Sequence, residues 1–157
     1  IVYGFGFSSG YKNFDLSAFF SGLGRTSFWI DNAATNPFVD GQRALLKVYA
    51  DNHWSEDNRD LYALWPRLSS TVIANNSQTS TWFMRNGALM RLKQVEIGYT
   101  LSSRIASKIF LKRLRVYASG SNLLTFSKFK LWEPELGGNA FNYPLQRVFN
   151  LGVNATF

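Results

Sequence analysis

The chain has no cysteine, and that absence removes disulfides, thiolate nucleophiles and zinc–thiolate sites together. It has one histidine, His53, so a Ser-His-Asp triad would have to use it, and nothing near it resembles a nucleophile elbow. We therefore expect no catalytic residue. No apolar run reaches the roughly 18 residues of a helical membrane span. Acidic residues are few, 10 against 17 Lys and Arg, for a formal net charge of +7. Such a balance raises nucleic acid or an anionic surface as partners. The cations are scattered, however, and the nearest approach to a patch is Lys108, Lys112, Arg113 and Arg115 at the start of a strand-like segment. We read these as turn and interior charge and expect no nucleic-acid partner. A basic nucleic-acid module is the remote alternative, and salt-dependent binding would reveal it. Ile1-Val2-Tyr3 opens directly in strand-like sequence with no signal-peptide pattern, so the expectation is a fragment or processed piece.

What the chain does have is aromatic residues, 17% of the total, with fourteen Phe, seven Tyr and five Trp. Its hydrophobic fraction is 46% although its mean hydropathy is slightly negative. Many aromatics at near-neutral hydropathy suit strands in which each apolar residue has a polar neighbour. The last ten residues, VFNLGVNATF, show this most clearly: Phe149, Leu151, Val153, Ala155 and Phe157 alternate with Val148, Asn150, Gly152, Asn154 and Thr156. A period of two is a strand, and about ten residues is what a tilted strand needs to cross a bilayer.

The same alternation predicts strands over residues 1–11, 14–23, 89–101, 113–126 and 145–157, the first two forming a hairpin at Lys12-Asn13. Val95, Ile97, Tyr99 and Leu101 share a row, whereas Met90 and Leu92 have the opposite parity, so a bulge near Lys93-Gln94 is expected. Residues 102–112 carry Ile105, Ile109 and Phe110 at helical spacing and predict a helix of one or two turns. Between Gly24 and Asn86 the periodicity disappears, apart from a helical turn expected near Gly41–Tyr49. A connection of that length generally carries function.

Connections therefore alternate between short and long, the asymmetry of an outer-membrane barrel. The fold class expected is all-β: a segment of an antiparallel transmembrane β-barrel with long extracellular loops. By this alternation Phe157 falls on the short-turn, periplasmic side. Five strands cannot close a barrel whose smallest members have about eight. Two open edges in lipid would cost several kcal/mol for each unsatisfied amide. The chain is thus expected to be part of a larger barrel. The alternative is a soluble β-sandwich that binds carbohydrate.

Several segments then resemble one family. RNGALMRLKQVEIGYTL (85–101), RLRVYASGSNLLTFSKF (113–129), YPLQRVFNLGVNATF (143–157) and NHWSEDNRDLYALWPRLSS (52–70) are similar to the C-terminal end of the SusC/RagA family. These are TonB-dependent outer-membrane transporters of Bacteroidetes. The resemblance covers practically the whole chain. It implies the last five strands of a 22-stranded barrel, without the N-terminal plug domain. It also implies import of bulky oligosaccharides or peptides with a SusD-like surface lipoprotein, and TonB acting through the missing N-terminal part. Outer-membrane lipid and the barrel assembly machinery are the other partners implied. Asn150, Gly152, Ala155 and Phe157 match the C-terminal assembly signal of outer-membrane barrels, although Ala155 is small for its place.

No cofactor and no metal are expected. Asp51, Glu56, Asp57 and Asp60 form an acidic group suited to calcium by its oxygen donors, but lack EF-hand spacing and its central glycine. Asp15, Glu96, Glu133 and Glu135 show no pairing that would make acid–base chemistry. GFGFSSG at 4–10 has no following helix or Lys-Ser/Thr and reads as a glycine-rich strand. Trp29, Trp54, Trp65, Trp82 and Trp132 are the candidate ligand contacts, since indole faces suit sugar rings. The competing reading is that they pack the loops, form an interfacial girdle or meet the lipoprotein. Alternation places Arg115, Tyr117, Ser119 and Asn154 toward the lumen, where they would set polarity.

Overall fold

The computed structural model describes residues 1–41 and 43–157. In chain order its elements are β1 Val2–Tyr11, β2 Phe14–Leu23, β3 Ser27–Trp29, α1 Asn32–Thr35, α2 Lys47–Asp51, β4 Met84–Asn86, β5 Leu89–Thr100, α3 Ser103–Lys108, β6 Arg113–Ser127 and β7 Val148–Thr156. Two compact units result. A sheet unit comprises Ile1–Thr26, Gly87–Lys128 and Pro144–Phe157, and a loop unit comprises Ser27–Asn86 and Phe129–Tyr143.

The sheet unit is one antiparallel sheet of order β1-β2-β5-β6-β7, so each strand pairs with its neighbours along the chain within this unit. Its register aligns the apolar rows of all five strands. Phe5 faces Phe20, which faces Leu92, which faces Leu124; Phe7, Ala18, Val95, Gly120 and Phe149 form another such row. One side slip would turn a whole row over, and a bulge prevents it. The register shifts between Leu92 and Gln94 in both pairings of β5, leaving Lys93 as the extra residue and restoring Met90 and Leu92 to the apolar side. In β6 the matching irregularity falls at Asn122, whose φ is 55°.

The consequence is a sheet with two unlike faces. The apolar face carries Phe5, Phe7, Leu16, Ile97, Val116, Leu151 and Val153, all exposed, with Leu151 at 87% and Phe149 at 75%. Within this unit, among the described residues, no second sheet covers these rows, so the unit lacks the other layer of a soluble sandwich. The opposite face carries Asp15, Ser17, Arg91, Gln94, Glu96, Arg115, Tyr117, Ser119, Asn150 and Asn154. β1 and β7 end the sheet, and each has one side that pairs with no strand among the described residues. Among the described residues no helix is long and apolar enough to cross a membrane; the long strands run from 9 to 15 residues, a barrel-strand length.

The final strand begins at Val148 rather than at 145. Its ladder starts opposite Ser121, just before Asn122 takes its left-handed conformation. Pro144 also lacks the N–H that an extended ladder would need. α3 occupies part of the helical stretch expected at 102–112, and the chain is already extended again at Arg113.

The loop unit has its own core of Ile30, Tyr49, Leu64, Trp65 and Phe83, flanked by Phe28, Leu45, Leu68, Trp82 and Trp132. Trp65 sits between Tyr49 at 4.9 Å and Phe83 at 5.3 Å, ring centroid to centroid. β3 and β4 pair across a separation in sequence that gave no periodic signal, because each is only 3 residues long. The helical turn expected near Gly41–Tyr49 is displaced to α2 at Lys47–Asp51, and Gln42 lies outside the described residues.

Candidate functional site

On the polar face of the sheet, three strands contribute to one charge cluster. Arg115 of β6 donates from Nε to Asp15 Oδ1 of β2 at 3.0 Å, and from Nη2 to Glu96 Oε1 of β5 at 2.7 Å. A second contact from Nη2 to Asp15 Oδ2 completes a bidentate fork, the geometry that guanidinium and carboxylate favour. The fork reaches across β5 because the intervening position is Gly98, where a Cβ would collide with the guanidinium. Tyr117 uses the next glycine in the same way: its ring lies over Gly152 of β7, under the Arg115 guanidinium at 5.1 Å. The row Asp15–Gly98–Tyr117–Gly152 thus forms a polar wall with a fixed guanidinium and a tyrosine hydroxyl. Nothing in the cluster is a base poised beside a nucleophile; it presents hydrogen-bonding groups on the polar face of the sheet.

The loop unit holds a cavity of about 410 Å³ whose walls include Trp54, Trp82, Arg67, Asn75, Asn76 and Gln78. Buried Asn32 shapes one wall: its side-chain amide donates to the Asn76 and Gln78 carbonyls at 3.3 and 3.0 Å. Trp54 is held through its backbone N–H, which donates to the Trp65 carbonyl at 3.0 Å. The Trp82 Nε1 is buried without a hydrogen-bond partner among the described residues. Beneath it, Arg85 donates to the Trp82 and Met84 carbonyls at 2.6 and 2.9 Å. Burial lowers the Arg85 pKa and raises that of the Tyr49 phenol, in the latter case against a hydrogen bond with Thr35.

The five tryptophans divide accordingly. Trp54 and Trp82 share the cavity, whereas Trp65 is 3% exposed in the core and offers no face to a ligand. Trp132 is pinned by its Nε1–H, which donates to the Gly137 carbonyl at 2.9 Å, and meets Phe129 edge-on. Trp29 is half-exposed on β3. Sequence reasoning ranked all five alike, because a buried and an exposed indole have the same letter. The amides of the 75–78 turn carry no periodic signal that would mark them as part of a wall.

His53 is structural: Ala50 and Tyr49 carbonyls accept from its Nδ1 at 2.9 and 3.1 Å, closing the end of α2. The acidic group disperses. Asp51 pairs with Lys47 at 2.6 Å, Glu56 with Arg67 at 3.0 Å, and Asp60 accepts from the Tyr62 N–H at 2.8 Å. Of the four terminal positions, Asn150 and Gly152 lie on the polar face, Ala155 opposite Leu114 on the apolar face, and exposed Phe157 just beyond the ladder.

A single antiparallel sheet with an exposed apolar face, a polar face bearing fixed charge and two open edges is a segment of a transmembrane β-barrel. No family model matches the chain. It is 27% identical over its whole length to TonB-dependent receptor P26 of Formosa agariphila, and 28% identical over 94% of its length to TonB-dependent receptor P3 of the same organism. It spans 17% and 15% of those proteins. Among solved structures, the RagAB peptide transporter matches 98% of the chain and the RagAB peptide importer in its open-open state 99%, at 26% and 25% identity, each with a TM-score of 0.72 and each over 17% of the matched chain. The chain resembles a segment of a SusC/RagA-family TonB-dependent receptor.

Proposed function

We propose that this chain is the C-terminal part of a 22-stranded outer-membrane transporter that imports bulky nutrients, oligosaccharides or peptides, by TonB-dependent opening of a plug. The observation that carries the reading is the sheet with two unlike faces: its apolar rows suit lipid, and its polar wall of Asp15, Glu96, Arg115 and Tyr117 suits a wide aqueous lumen. In this reading the loop unit is extracellular and its cavity, with Trp54 and Trp82, contacts cargo beneath a SusD-like surface lipoprotein. TonB engages the N-terminal part of the protein, and Phe157 ends in the periplasm. The import named in the RagAB structures supports a peptide as one cargo class.

Two measurements on the full-length protein test this. Outer-membrane material should migrate faster on a denaturing gel before heating than after, as closed barrels do, and uptake should stop when TonB is deleted. A protein found in the soluble fraction without heat-modifiable migration would refute the proposal.

A further inference from the structure

The short-turn end of the sheet unit has features that a lumen wall and a cargo site do not use. Three connections meet there through backbone bonds: Thr100 N–H donates to the Asn13 carbonyl, Leu101 N–H to the Leu114 carbonyl, and Lys112 N–H to the Thr156 carbonyl, each at 2.8 Å. They bring Lys12, Arg104, Lys108, Lys112 and Arg113 to one end of the sheet, all exposed. No carboxylate side chain occurs between Thr100 and Arg115. None of the five cations forms an ion pair among the described residues. Asp15, the nearest carboxylate in sequence to Lys12, is occupied by Arg115.

The same end is apolar as well as cationic. Fully buried Ala106 seats α3 on the unit, while Ile105 and Ile109 are half-exposed and Phe110 is 92% exposed. Phe110 is held in the left-handed region at φ 60° by the turn that closes when Leu111 N–H donates to the Ala106 carbonyl at 3.0 Å. On the apolar face the last paired row before the turns is aromatic. Tyr11 faces Phe14, Phe14 faces Tyr99, and the Phe14 and Tyr99 rings lie 4.7 Å apart. The Lys12 ammonium stands 5.3 Å above the Tyr11 ring. Aromatic side chains settle at the level of lipid headgroups, and cations just beyond them are attracted by anionic ones.

We propose that this end binds anionic phospholipid headgroups, with Arg104, Lys108 and Lys112 on the phosphates and Ile105, Ile109 and Phe110 set into the headgroup boundary. Unpaired cations distinguish this surface from one suited to zwitterionic lipid. Continuity with the aromatic row of a lipid-facing sheet favours a membrane over an acidic protein. The proposal rests on the strands spanning a bilayer.

The test uses the full-length protein inserted into nanodiscs of phosphatidylcholine alone, or of phosphatidylcholine mixed with phosphatidylglycerol, followed by native mass spectrometry of the extracted protein. Phosphatidylglycerol should be retained over phosphatidylcholine by roughly a hundredfold, and each cation removed in Arg104→Gln, Lys108→Gln and Lys112→Gln should reduce that preference by roughly fivefold. Equal retention of the two lipids by the unaltered protein would overturn the proposal, whatever the variants do. So would a preference that the triple variant keeps. Capture of a polyglutamate peptide without lipid preference would point to an acidic protein instead and also overturn it. Failure to co-elute with either disc would overturn the spanning reading, and this proposal with it.

Discussion

Gly152→Ala should destabilise the barrel, although alanine is the better strand residue. In a strand, alanine ordinarily gains about 0.5–1 kcal/mol over glycine through the unfolded chain. Here a Cβ on Gly152 would stand 2.7 Å from Tyr117 Cε1 and closer still to the ring's Cζ and hydroxyl. Carbon atoms pack best at about 3.5–4 Å, so the ring must move by about 1 Å or leave the glycine altogether. Overpacking of this kind costs about 1–3 kcal/mol, which outweighs the intrinsic gain and leaves a net loss of about 1 kcal/mol. Two controls make the expectation specific. At Gly10 the nearest atom to an added Cβ is the Phe14 carbonyl oxygen at 3.8 Å, so Gly10→Ala should be neutral or stabilising. Tyr117→Ser removes the obstacle, so Gly152→Ala should cost nothing in that background. The assay is urea unfolding of the full-length protein in vesicles, read as the midpoint of the transition. A Gly152→Ala midpoint at or above the parent would refute the packing argument. So would a loss that persists with Tyr117→Ser.

Leu151→Arg, on the exposed apolar row, should destabilise the vesicle-inserted barrel by about 2–4 kcal/mol, while Asn150→Arg on the other face should change it little; equal effects in urea unfolding would count against a lipid-facing row. Burial raises the Tyr49 phenol above the ordinary tyrosine value, so the unfolded loop unit loses this proton first as pH rises. Its contribution is therefore intact below about pH 10 and lost above it, and Tyr49→Phe should flatten the alkaline increase in protease cleavage at 27–86. Phe157→Ser should lower outer-membrane levels of the full-length protein without moving its urea midpoint after refolding in vesicles. Unchanged levels would remove Phe157 from the assembly signal.

The strands of the sheet unit were legible because each of their residues sees the same two environments in alternation. Leu16, Ala18 and Phe20 against Asp15, Ser17 and Ser21 state a register as well as a strand. Even the Lys93 bulge was readable, since only an extra residue reconciles Leu92 with Val95. The loop unit was not legible, for a physical reason. Its core is assembled from single residues far apart in sequence, such as Ile30, Trp65 and Phe83, held by bonds like Ile30 N–H to the Phe83 carbonyl at 2.9 Å. No period announces such contacts. The Arg115 cluster lay between these cases. Alternation put Arg115 on the polar face, but its partners Asp15 and Glu96 depended on Gly98 leaving room.

The two outer strands have a consequence for how the molecule must be made. Neither β1 (VYGFGFSSGY) nor β7 (VFNLGVNAT) contains a charged residue or a proline, the devices by which soluble proteins discourage an edge from recruiting another chain. Left alone in water, each is a template for further strands, and the exposed Phe and Leu rows beside it would cement the stack. This segment produced by itself should therefore form fibrils or inclusion bodies rather than a soluble domain.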